Sequence, residues 1–263
     1  MPRTLKLLLA YDGTSYVGWQ RQAEGVSVQG LLEDALVRIE GHPVTVVGSG
    51  RTDAGVHALG QVASITIEHP IPTNELHRAL NAMLPAEVRV REVEEAPQGF
   101  HARYAARGKT YRYALLQGEA SPFLFRYAWH VGQPLALRAM VRAARVLEGT
   151  HDFAAFQSTG TEVRSTTRTV FSSTLREEGL AEQGLGGSWI GALDGWQGRL
   201  LTYEITGDGF LRHMVRAIVG SLVEVGTGRR DPEWMAGLLE SGRREAGGPT
   251  APACGLWLVG VHY

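Results

Sequence analysis

Apolar and polar positions along the chain predict a mixed α/β fold. Leu5-Lys6-Leu7-Leu8-Leu9-Ala10-Tyr11 reads as a buried first strand, closed by the turn signal Asp12-Gly13-Thr14-Ser15. Ser27 caps a helix in which Val28, Leu31, Leu32, Ala35, Leu36 and Ile39 recur at helical spacing, and Gly41 and Pro43 stop it. The β-branched run Val44-Thr45-Val46-Val47 and the stretch from Gln61 to Ile67 read as strands on either side of a Gly-rich loop. His69-Pro70-Ile71-Pro72 is a rigid connector. Thr73 caps a second helix (Leu76, Leu80, Met83) that Pro85 terminates, and Val88 to Val93 alternates with period two. The first ~95 residues therefore run β-α-β-β-α-β, the split βαβ order of ferredoxin-like units.

The second half reads as α/β again. Thr110 to Leu116 is a strand, and Leu135 to Leu147 is an amphipathic helix with Arg138, Arg142 and Arg145 on its polar side, ended by Gly149. Thr150 or Asp152 caps a short helix that follows. Strands from Thr169 to Leu175 and from Leu200 to Thr206 lead, through Gly207-Asp208-Gly209, into a long helix over 209–226 whose apolar face is Leu211, Val215, Ile218, Val219 and Leu222. Asp231-Pro232-Glu233 opens a last helix, and Leu256 to Tyr263 closes the chain as a strand. Residues 177–198 are Gly-rich and irregular; they read as a hairpin insertion with no assignable function. The expected architecture is α/β (α+β). Two split-βαβ subdomains, 1–104 and 105–263, stand side by side around a central, mostly antiparallel sheet flanked by helices, with the active cleft between them. No sequence repeat marks that symmetry.

Composition narrows the class. At 263 residues the chain has ample core, and no apolar run approaches the ~20 residues of a membrane span. The first residues lack a signal-peptide design, and Cys254 is the lone cysteine, which excludes a disulfide framework or a Cys-based zinc site. These features read as a cytoplasmic protein. A net charge of −1 argues against a generic polyanion binder, yet the cations are 24 Arg against 2 Lys. Arginine's planar fork suits phosphates and base edges; codon bias or a hot habitat explains the same excess.

Local clustering brings in candidate chemistry. Gly48-Ser49-Gly50-Arg51-Thr52-Asp53-Ala54-Gly55-Val56-His57-Ala58 places a guanidinium, a carboxylate and an imidazole within seven residues of a loop between strands. It reads either as a turn in which Asp53 caps its own backbone, or as a reactive loop. Asp53 and His57 as the acid/base pair of a hydrolase is a third reading. No acid occurs from Ala96 to Gly118, where Arg103, Arg107, Lys109 and Arg112 interleave with Phe100, His101, Tyr104, Tyr111 and Tyr113. Cations among ring faces suit a nucleic-acid strand, and a solvated loop feeding a strand accounts for them equally. Arg164 and Arg168 lie in a hydroxyl-rich stretch able to line a phosphate backbone. Arg212 and Arg216 fall one helical turn apart beside the apolar face, with Asp208 as a local partner for Arg212 and a carboxylate from elsewhere, such as Asp53, for Arg216.

Taken together these stretches resemble the pseudouridine synthases of the TruA family. The resemblance rests on Tyr11-Asp12-Gly13-Thr14 with Gly18-Trp19-Gln20, Gly50 to Ala58, Phe100-His101-Ala102-Arg103, Tyr111-Arg112-Tyr113 and His151-Asp152-Phe153. It continues through Gly209-Phe210-Leu211 with His213-Met214-Val215-Arg216, and Cys254-Gly255-Leu256. It implies a tRNA uridine isomerase acting in the anticodon arm, at tRNA positions 38, 39 and 40, by base flipping. Asp53 becomes the nucleophile, Tyr111 the ring stacked on the uracil, and Arg216 (or Arg212) the cation paired with Asp53. Arg51 helps open the stem; Phe100, His101, Ala102, Arg103, Tyr104, Arg164, Arg168 and Arg212 become RNA contacts. The resemblance also implies a homodimer and no cofactor or metal. The alternative is a structured-RNA-binding protein or RNA chaperone whose isomerase site is idle.

Overall fold

Alternation in the first strand sets the pattern of the molecule. In β1 (Arg3–Tyr11), Leu5, Leu7, Leu9 and Tyr11 are buried and the residues between them are half-exposed. The computed structural model describes residues 2–158, 160, 163–178 and 198–263; the expected hairpin insertion falls almost wholly outside them. The chain divides into two compact units, Met1–Lys109 with Trp257–Tyr263, and Thr110–Leu256.

In the first unit, β1 is followed by α1 (Val28–Glu40), β2 (Val47–Gly48), β3 (His57–Ile67), α2 (Thr73–Met83) and β4 (Val88–Glu95). Ser27 caps α1 by accepting from Gly30 N, and Gly41 ends it at φ 78°. β1 lies antiparallel between β3 and β4, with Leu5 opposite Ile65 and Leu7 opposite Val93. β2 runs antiparallel beside Ala63 and Ser64 of β3. The order β4-β1-β3-β2 is that of a split βαβ sheet. β10 (Leu256–His262) takes the rest of that β3 edge, running parallel with Trp257 opposite His57. Sequence order groups this last strand with the second half; its pairing with β3 brings it into the first unit.

Two local expectations change. Of the run at 44–47 only Val47 is paired as strand. The Val46 backbone is instead engaged by α1, its carbonyl accepting from Gln29 Nε2 at 3.0 Å and its N–H facing Glu33 Oε1 at 3.4 Å. Thr73 is the first helical residue of α2 rather than its cap, because the Pro72 carbonyl receives the Glu75 and Leu76 amides.

The second unit holds β5 (Gly108–Gln117, from Thr110 onward), β6 (Trp129–Val131), α3 (Leu137–Arg145), β7 (Gly149–Asp152), β8 (Thr167–Glu178), β9 (Arg199–Gly207), α4 (Met214–Gly226) and α5 (Trp234–Ser241). Its strand order is β5-β9-β8-β7, with β6 parallel to β5. The succession β5-α3-β8-β9-α4, with β5 beside β9 and β9 beside β8, repeats the internal logic of β1-α1-β2-β3-α2. Each unit is thus a mostly antiparallel sheet with helices. Thr150 belongs to β7 and bonds Thr169 across the strands; Asp152 accepts from Ala154 N and opens the 3-10 turn at Ala154–Phe156.

The long helix begins later than its apolar periodicity predicts. Residues 209–213 lie outside it, and His213 enters α4 with φ 63°, the left-handed region. A non-glycine residue held there interrupts helical continuation, so Arg212 is not on the helix face with Arg216. Asp208 is also committed elsewhere, accepting from Thr169 N at 3.0 Å.

Candidate active site

The Gly-rich loop of the first unit is held from below by buried polar side chains. Thr52 is buried, and its hydroxyl meets the Tyr11 hydroxyl at 2.8 Å; burial pushes the Tyr11 phenol up to about 12, so it stays an O–H. Gln61, fully buried on β3, donates to the Gly50 carbonyl at 3.0 Å and accepts from Ser49 Oγ at 2.7 Å. The Ser49 amide bonds Val62 O, and the Trp19 amide bonds Thr52 O. Together these contacts hold the segment Ser49–Thr52 that leads into Asp53, as a preorganised site requires.

At its tip the loop turns on Asp53-Ala54-Gly55-Val56. Val56 N donates to Asp53 O at 3.1 Å, and Gly55 takes φ 77° at the third position, which favours glycine. The Asp53 side chain is half-buried, while Arg51 is exposed and steadied by its Nε bond to Gln20 Oε1 at 3.1 Å.

His57 belongs to the scaffold. Its ring is 0% exposed and stacks on Trp257 with centroids 4.3 Å apart. Nδ1 accepts from Gly13 N at 3.1 Å and also lies 3.1 Å from Asp12 Oδ1. The same Asp12 oxygen also receives Thr14 N and Thr14 Oγ1. Buried against an indole, the imidazole is unsuited to acid/base work on a substrate, which removes the ground for the hydrolase reading.

The acid-free segment divides into two kinds of residue. Ala102 is 0% exposed; its amide donates to Ser64 Oγ and its carbonyl accepts from Tyr263 OH at 2.8 Å. Phe100 packs on the Tyr263 ring at 5.2 Å. Contrary to the sequence expectation, Ala102 has no surface to give RNA: it and Phe100 anchor the segment. His101, Arg103 and Tyr104 face outward together. The His101 and Tyr104 rings stack at 4.2 Å, the Arg103 guanidinium lies 5.9 Å from the Tyr104 centroid, and Tyr104 is 78% exposed. A bare aromatic beside a guanidinium is a stacking platform for a base.

In the second unit, Tyr111 on β5 is 8% exposed and meets Phe210 edge-on at 5.1 Å. Arg216, half-buried on α4, donates Nε to Ala251 O at 2.7 Å, and Ala251 N returns a bond to Arg216 O. Arg168 folds back so that Nη1 reaches the carbonyls of Ser165 and Thr167, while Arg164 and Arg212 are exposed. The Cys254-Gly255-Leu256 motif has a packing cause, because a Cβ on Gly255 would lie 2.5 Å from the Tyr113 ring. Burial raises the Cys254 thiol, so it stays protonated. Among the described residues no cluster of His, Cys, Asp and Glu is arranged to hold a metal ion, and no helix is long and apolar enough to cross a membrane.

Sequence reasoning assigned no role to Tyr11 or Gln61, and read Lys109 only as one cation of the basic stretch. Gln61 carried a legible signal, a lone amide in an apolar strand. Nothing in the sequence placed Lys109 beside the central loop, where a Cβ on Gly50 would lie 2.8 Å from the Lys109 Nζ.

Comparison with known proteins agrees with these features. Residues 8–105 and 143–263 match a family model described as tRNA pseudouridine synthase. Among curated proteins, the chain is 45% identical over 260 residues to "tRNA pseudouridine synthase A" of Syntrophotalea carbinolica, covering 98% of this chain and 96% of that protein. It is 43% identical to the protein of the same name from Geobacter sulfurreducens and 40% to that of Acetivibrio thermocellus. Each of these matches covers 99% of this chain and 100% of the relative.

Proposed function

Because the chain belongs to the tRNA pseudouridine synthase family, we propose that it isomerises uridine to pseudouridine in the anticodon arm of tRNA with Asp53 as nucleophile. The observation that carries this reading is a half-buried carboxylate at the tip of a loop held on its leading side by hydrogen bonds at Gly50 and Thr52 and closed by Val56 N on the Asp53 carbonyl. The reaction breaks the N1–C1′ bond, turns the uracil, joins C5 to C1′, and moves the C5 proton to solvent while N1 gains one. Nothing is oxidised and no phosphate is cleaved. A carboxylate serves by adding to C6 of the ring or to the sugar carbon and then leaving, or as the base of a glycal route. Tyr111 presents a ring for the uracil, Arg216 a cation for the carboxylate, and Arg51 a guanidinium for the opened stem. Extrusion of the base costs a few kcal/mol, which stacking and phosphate contacts offset. The test is tritium release from C5-labelled uridine in tRNA by the purified protein, with a pseudouridine map of tRNA from cells lacking it. No release, and an unchanged map, would leave the RNA chaperone reading in its place.

Two expectations follow. Tyr111→Ala lowers kcat/KM for tRNA by about tenfold or more, the loss of one base–aromatic stack. Tyr111→Phe restores most of it because the ring is kept; equal losses in both variants would show that the ring does not stack. The protein acts as a homodimer in the compartment where tRNA matures, the cytoplasm, so light scattering gives twice the chain's 28.6 kDa. A single monomer species across the working concentration range overturns that part.

A further inference from the structure

We propose that Lys109, with Arg103, forms a phosphate-binding site beside Gly50 that grips the RNA backbone next to the extruded uridine. The inference rests on the isomerase reading of the same loop and adds a residue to it. The Lys109 ammonium is set against the reactive loop where Gly50 has no side chain, 2.8 Å from the position a Cβ would take. Among the described residues no carboxylate lies within ion-pair distance of Nζ, and none of the hydrogen bonds is donated by it. Burial first, and then the positive charge of Arg103, hold this ammonium below the usual lysine range. Arg103 lies in the acid-free stretch and has only the Tyr104 ring as cation partner among the described residues.

Two cations that repel each other, one of them half-buried with no counter-ion among the described residues, are unfavourable unless an anion completes the set. Among the described residues no carboxylate does so. The substrate carries one anionic oxygen pair per nucleotide, and a strand laid over the His101–Tyr104 stack brings phosphates past Arg103 toward Gly50. Lys109 thus binds as a point charge, whereas Arg51 is free to occupy the space the base leaves. Positioning one phosphate three residues from Asp53 in sequence fixes the ribose whose C1′ must be reached.

The experiment pairs protein charge removal with RNA charge removal. An anticodon-arm stem-loop is synthesised with single methylphosphonate linkages stepped through the loop, and its binding to wild type, Lys109→Met and Lys109→Arg is measured. Wild type should lose about tenfold or more in affinity at the linkage that Lys109 holds. Lys109→Met should show that loss with unmodified RNA and no further loss at that linkage; Lys109→Arg should behave as wild type. Losses that multiply at every linkage, or a Lys109→Met protein that binds unmodified RNA like wild type, overturn the proposal. Should Lys109→Met not fold, Gly50→Ala, which displaces Nζ without removing charge, must abolish the coupling at the same linkage. Binding coupling is read independently of turnover. Tritium release by wild type on the unmodified stem-loop therefore reports on the isomerase reading separately.

Discussion

Asp53→Asn is expected to remain folded and to bind tRNA, while tritium release from C5-labelled uridine falls by roughly 10³-fold or more, ~4 kcal/mol of transition-state stabilisation. The amide has nearly the shape of the carboxylate, and the turn is closed by the Asp53 backbone carbonyl, which the substitution keeps. Thermal midpoint and RNA affinity should therefore stay close to wild type. The amide oxygen is a far weaker nucleophile and base, so every route that uses the carboxylate stops together. A folded variant that turns over at the wild-type rate would remove Asp53 from the chemistry. The idle-site alternative makes the opposite forecast for cells: Asp53→Asn keeps the biological activity, and substitution of Arg103 or Arg168 abolishes it.

How much of this could be read from the chain depends on the range of the interaction. Strand alternation, the Ser27 cap and the β-α-β-β-α-β order are local, and the first unit follows them closely. The central loop was visible because glycines and charged residues lie next to one another in sequence. What failed was non-local or conformational. Val46 has the composition of a strand residue, but its backbone is engaged by Gln29 and Glu33 of α1, a choice no window around residue 46 contains. The 3.6-residue pattern runs unbroken through 211–215, yet His213 sits at φ 63° and delays α4 to Met214. His57 has the residue type of a catalyst. Only the indole of Trp257, brought alongside by the terminal strand 200 residues later in sequence, shows it to be structural. Within Phe100 to Tyr104, composition could not separate the buried Ala102 and the Phe100 ring packed on Tyr263 from the outward stack of His101, Arg103 and Tyr104.

The same distinction between chemistry and scaffold predicts the effect of Gly13→Ala. Gly13 is not in the left-handed region, so alanine meets no backbone strain there; the obstacle is purely steric. A Cβ at this position would overlap the Val56 carbonyl and stand 3.1 Å from Val56 N, the amide that closes the turn onto Asp53. Backbone cannot rotate away as a flexible side chain would. The turn must shift by about 1 Å, carrying Asp53 with it and stretching the Gly13 N–His57 Nδ1 bond. Misplacing a reacting group by that much costs on the order of 100-fold in rate, whereas overpacking a tight contact destabilises by about 1–3 kcal/mol. Gly13→Ala should thus be folded at 25 °C, with a lowered thermal midpoint and kcat/KM down by roughly 100-fold. Gly132→Ala, where a Cβ meets nothing within 4 Å, serves as the control and should match wild type in both readouts. If Gly13→Ala turned over tRNA normally, the loop would not need the geometry that the Gly13–Val56 contact imposes. Asp53 would then act from a position set by the RNA rather than by the residues beneath it.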